Sequence, residues 1–122
     1  MNIIFKVIGY LLGVLIVITL GVYLYMFREQ SIDVDLIPTE FKYCGKQIYG
    51  NDESYEDIVQ WLKNNSDDWV LSFVSYVPMH RYYHGAFNVN VHREVVIVSY
   101  KTDYGYPQFI KQGQHDLPLS CN

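Results

Sequence analysis

The stretch Val7-Ile-Gly-Tyr-Leu-Leu-Gly-Val-Leu-Ile-Val-Ile-Thr-Leu-Gly-Val-Tyr-Leu-Tyr-Met-Phe27 decides the architecture. Its twenty-one residues carry no charge, no proline and, outside the tyrosines, a single hydroxyl. At ~1.5 Å of rise per residue a helix of this length reaches about 31 Å, the thickness of a bilayer's hydrocarbon core. It is expected to cross a membrane, with Val7 and Leu15 in the apolar span and Tyr23, Tyr25 and Phe27 at its far boundary, where aromatic rings favour the headgroup zone. Gly9 and Gly13 form a Gly-x-x-x-Gly pair, a spacing that lets two helices approach closely and would support a weak homodimer.

The run is too long for the apolar core of a cleaved signal peptide and ends in Tyr-Met-Phe-Arg rather than a small-x-small site. Residues 1–30 therefore read as an uncleaved signal anchor, 31–40 as a juxtamembrane tether and 41–122 as one small domain. Lys6 on one flank and Arg28 beside Glu29 on the other leave the positive-inside bias nearly balanced. Export of the larger part is inferred instead from the short N-terminal tail and from the cysteines, which places the domain in a bacterial periplasm and the anchor in the inner membrane.

The two cysteines, Cys44 and Cys121, lie near the ends of that domain. A chain of this size buries a modest core, and bridging them would stabilise it by roughly 4.5 kcal/mol in the chain-entropy model. A disulfide is the expected state, because an even pair in a small exported domain suits an oxidising compartment. From Ser31 onward, twelve acids face seven Lys or Arg. That balance argues against nucleic acid, whose phosphates need clustered bases, and suits a basic protein surface.

The fold expected is α+β, one helix packed on an antiparallel sheet of four or five strands. Ser54 opens the helix, with Ser54 and Asp57 as a capping box and Tyr55, Ile58, Val59 and Leu62 as its apolar stripe; a left-handed cap at Asn64-Asn65 closes it. Phe41 to Tyr49 reads as one strand. Trp69 to Val77, apolar on both parities, reads as a central strand ended by Pro78. Phe87, Val89 and Val91 alternate with polar residues, as in a strand with one wet face, and Val95 to Tyr100 follows as a second strand or as the continuation of the same one. Thr102-Asp103-Tyr104-Gly105 is a hairpin signal, after which Tyr106 to Lys111 returns as a strand. The tail from Gln112 is irregular.

Chemistry is sparse. His80 and His84 stand at i, i+4, the spacing that places two imidazoles on one helix face for zinc, but Pro78 and Gly85 bracket them and no Glu follows His80, so no metal site and no cofactor are expected. No Gly-x-Ser-x-Gly elbow or Gly-rich phosphate loop occurs, so an enzyme is not expected. Nine of the twelve tyrosines lie beyond the span. Met79-His80-Arg81-Tyr82-Tyr83-His84, read as a loop joining two strands, carries the residue types enriched at interface centres. With Tyr104 and Tyr106 on the later hairpin and the acids Glu53, Glu56 and Asp57 on the helix, it forms the expected partner-binding set. The function expected is a membrane-anchored binding protein, in particular an immunity-type inhibitor of a toxin that reaches the periplasm. The alternatives are a structural or regulatory subunit of an envelope complex and a small His-dependent hydrolase.

Overall fold

A computed structural model describes residues 2–119 of the chain. The apolar run is a single helix, α1 (Asn2–Met26), long and apolar enough to cross a membrane, and none of its residues is buried against the protein. At ~1.5 Å per residue it spans about 37 Å. A helix apolar on every side has no face to turn to water, whereas α2 (Glu53–Asn64) is amphipathic and buries Ile58, Val59 and Leu62.

The remaining chain forms, among the described residues, one antiparallel sheet of seven strands, more than the four or five expected. They are β1 (Glu40–Tyr43), β2 (Lys46–Tyr49), β3 (Val70–Leu71), β4 (His80–His84), β5 (Phe87–Val91), β6 (Val95–Ser99) and β7 (Gln108–Gln112). Their order across the sheet is β2-β1-β4-β5-β6-β7-β3. Register assigns the faces: Tyr43 lies opposite Tyr82, Tyr82 opposite Val89, Val89 opposite Val98 and Val98 opposite Phe109. This row, with Phe41, Val91 and Val96, packs with Ile58, Val59 and Leu62 of α2 in one core cluster. Trp69, fully buried, closes the same core, with its indole nitrogen donating to the Asn65 carbonyl at 2.5 Å.

Two features account for the extra strands. Phe41 to Tyr49 is a hairpin, because Cys44 (φ 54°) and Gly45 (φ 78°) are both left-handed, as a two-residue primed turn requires. Met79 to His84 is largely strand β4, paired on both sides by β1 and β5, rather than a loop. The central strand expected over Trp69 to Val77 is the two-residue edge strand β3, and Ser72 to Met79 runs on without a ladder. Val91 and Val95 belong to two strands, with the His92 amide donating to the Val95 carbonyl across the turn. Thr102 and Gly105 bridge as the hairpin signal implied.

The helix caps differ from expectation. Asp52 is the N-cap of α2 and accepts the Tyr49 amide instead of a helix N–H, so Ser54 sits inside the first turn and no capping box forms. Asn65 ends the helix at φ −125°, with its side-chain amide donating to the Trp61 carbonyl in place of a left-handed cap.

The tether is built into the domain. Gln30 and Trp69 exchange backbone hydrogen bonds, Ile32 is 4 % exposed within the core, and Val34–Leu36 forms a single 3-10 turn. The Asp33 amide donates to the Tyr100 hydroxyl. The tail is also fastened: Leu117 is buried, and the His115 ring donates through Nε2 to the His92 carbonyl while accepting the Leu117 amide at Nδ1. Cys121, the expected partner of Cys44, lies outside the described residues.

Candidate functional site

The face of the sheet opposite α2 carries the polar side chains. Register aligns Lys42, Tyr83, Asn88, Ser99 and Gln108 in one row across five strands, and Arg81, Asn90, Ile97, Ile110 and Val70 in the next. Alternation along β4 and β5 produces this arrangement: Tyr82, Val89 and Val91 go to the core, so Arg81, Tyr83, Asn88 and Asn90 go to the other side.

Arg81 is oriented before any partner arrives. Its guanidinium donates to Asn88 Oδ1 at 2.9 Å and lies 4.8 Å from the centre of the Tyr83 ring. Cation and ring hold one another, and among the described residues the remaining guanidinium donors have no acceptor, which leaves them to a planar one such as a carboxylate.

Ser72 to Met79 crosses this face as a strap. Asn90 secures it twice, accepting the Met79 amide at Oδ1 and donating from Nδ2 to the Val77 carbonyl. Gln108 Nε2 donates to the Val74 carbonyl at 2.6 Å. Between strap and strands lies a concavity of about 260 Å³ with Arg81, Asn88, Asn90 and Ser99 on its floor and Tyr76 and Pro78 on its rim.

Of the residues singled out in the sequence, Met79, Arg81 and Tyr83 share this region. Tyr82 does not: its side chain is fully buried and stacked on Tyr43, with ring centres 4.1 Å apart. Burial, foremost, then the neighbouring Tyr43 phenol and the Asp57 carboxylate push its phenol far above the ordinary tyrosine value. Burial likewise raises Tyr100 and Tyr55.

His80 and His84 lie on one strand, where an i, i+4 separation is about 13 Å, too far to share an ion. His84 Nδ1 instead lies 3.7 Å from Glu40 Oε1. Glu53, Glu56 and Asp57 are exposed on α2, across the sheet from Arg81 and Tyr83, so the acids and the Arg–Tyr cluster do not form one continuous patch. Tyr104 and Tyr106 belong to a different surface, a cleft of about 980 Å³ that they line together with Phe73, Val74, Tyr25 and Met26.

The strap and the pairing of Arg81 with Asn88 were not read from the sequence. The available signal was the alternation of Asn88 and Asn90 with buried valines, which marks a wet face and hence its contents. No protein-family model, curated protein or solved structure matches the chain.

Proposed function

We propose that this chain is a membrane-anchored binding protein of a bacterial envelope, with α1 in the inner membrane and the sheet domain in the periplasm. Its partner is another protein, an antibacterial toxin that it neutralises as an immunity-type inhibitor, and the chain does no catalysis. The observation that carries the binding reading is the pre-oriented Arg81 on Tyr83 and Asn88, beside a Met79 side chain that is 58 % exposed. Arg, Tyr and Met are enriched at interface centres, and groups already fixed on strands lose little freedom on binding. The excess of acids over bases beyond residue 30 favours a basic partner and speeds encounter with one. A Cys44–Cys121 disulfide belongs to the same reading.

Three measurements test the parts separately. Protease added to spheroplasts is expected to remove the domain; protection overturns the orientation. Thiol alkylation of protein taken from cells is expected to find both cysteines blocked until reduction. Co-expression with the product of the adjacent gene is expected to relieve toxicity with the wild-type chain and to fail with Arg81→Glu. Equal relief by both chains removes the Arg81 surface from the mechanism, and no relief by either removes the inhibitor reading.

A further inference from the structure

Several of the domain's exposed apolar side chains cluster beside the point where α1 joins it. Phe73 is 68 % exposed, Val74 63 %, Tyr106 65 % and Tyr104 100 %. All four line one cleft, whose opposite wall is Tyr25 and Met26, the last turn of α1. The Phe73 ring meets the Phe27 ring edge-on with centres 5.9 Å apart, and Phe27 in turn lies 4.8 Å from Tyr23.

If α1 spans a bilayer, that contact sets the depth of the cleft. Tyr23 and Tyr25 in the last turn of α1, with Phe27 just beyond it, end the uncharged run from Val7, whose length of about 31 Å matches a hydrocarbon thickness of roughly 30 Å, so this end lies at the headgroup zone. Phe73 touches that end and is therefore at the same level. Four apolar or aromatic side chains held there by the domain would each lose favourable burial by facing water, and aromatic side chains are the ones that interfacial surfaces insert. Arg28, its guanidinium 4.3 Å from the Tyr25 ring centre, supplies a cation at phosphate level. Lys101 and Asp103 near the hairpin tip offset one another in charge.

We propose that Phe73, Val74, Tyr104 and Tyr106 form a second membrane contact, seated in the headgroup–acyl boundary of the bilayer that α1 crosses. The occupant of the cleft is lipid, continuous with the lipid around α1. The inference rests on α1 spanning the membrane and is independent of the toxin reading. It makes the domain a lobe lying against the surface, with the Tyr104 hairpin as its point of insertion.

The test is photo-crosslinking of the full chain in phosphatidylethanolamine–phosphatidylglycerol nanodiscs, with p-benzoylphenylalanine replacing one residue at a time. Tyr10 within α1 is the positive control. Tyr49 on β2 is the negative one, because β2 lies at the opposite edge of the sheet from β3, six strand spacings or about 29 Å away. Phospholipid adducts at positions 73 and 104, several-fold above those at 49, are expected. Adducts at 10 but not at 73 or 104 overturn the second contact alone, and adducts to another copy of the chain at 73 or 104 do the same. Absence of adducts at position 10 as well overturns the span on which the proposal rests.

Discussion

The two faces of the sheet are made by the same strands and do opposite work. One face is a continuous apolar layer under α2, where Phe41, Tyr82, Val89, Val91, Val96 and Val98 are all within 1 % of complete burial. The other is two rows, polar except for Ile97, Ile110 and Val70, crossed by an extended strap, with Ile97 the one strand residue of its row that is buried. Close fit carries the first face, and hydrogen bonds to backbone carbonyls and amides organise the second. Substitutions should therefore act on stability across one face and on recognition across the other.

The largest expected effect is on the α2 side. Leu62→Ala opens a cavity beneath a helix that contributes only three buried side chains, and it should cost about 3 kcal/mol in chemical denaturation of the detergent-solubilised chain. A loss below about 1 kcal/mol would show that α2 is a loose lid and would break the contrast.

Next is alkaline stability. The folded state holds Tyr82, Tyr100 and Tyr55 protonated with raised pKa values, so their contribution is complete below the ordinary tyrosine value of 10.0 and falls as pH rises above it. For Tyr82 the expected slope is about 1.4 kcal/mol per pH unit, and Tyr82→Phe should flatten the profile between roughly pH 10 and 12. Unchanged steepness in the variant would mean that Tyr82 ionises while folded.

On the polar face, Asn90→Ala removes both bonds that hold the strap at Val77 and Met79. A cost of about 1–2 kcal/mol is expected, with faster hydrogen exchange at the Met79 amide while the amides of β5 and β6 stay protected. Smallest is Arg81→Ala, which gives up one hydrogen bond and one ring contact at a partly exposed site. Stability should change by no more than about 1 kcal/mol while relief of toxicity is lost. A large destabilisation there would show that the polar face is structural after all.

How legible all this was in the sequence varied by face. The apolar face could be read: Ile58, Val59 and Leu62 on α2 and the alternation from Phe87 to Val91 report burial directly, through periods of 3.6 and 2. The span of α1 was legible for the same reason, being apolar on every side. The β1–β2 turn was obscured because its first left-handed residue is a cysteine, where the familiar signal is Asn or Asp. β4 was hidden because its inward positions are His80, Tyr82 and His84, and only the middle one is fully buried. Ser72 to Met79 has the composition of a strand and no ladder. Phe73, Val74 and Val77 looked like core residues, and their exposure is decided by where the strap crosses, a tertiary fact that local pattern does not contain. The candidate site was legible in kind, through Met79, Arg81 and Tyr83, while its partition from the acidic helix required the register.

Ile32 lies in the core only six residues after α1 ends at Met26. Such a mooring has no slack, so the lobe cannot swing out on a leash to sweep a volume of solvent. If α1 crosses a bilayer, anything the domain binds must come to within one domain's height of the lipid, and two such copies can meet only by sliding in the plane. Lengthening that junction with a flexible insert would widen the reach and dilute each copy's local concentration at the surface, a trade that the chain as built settles in favour of proximity.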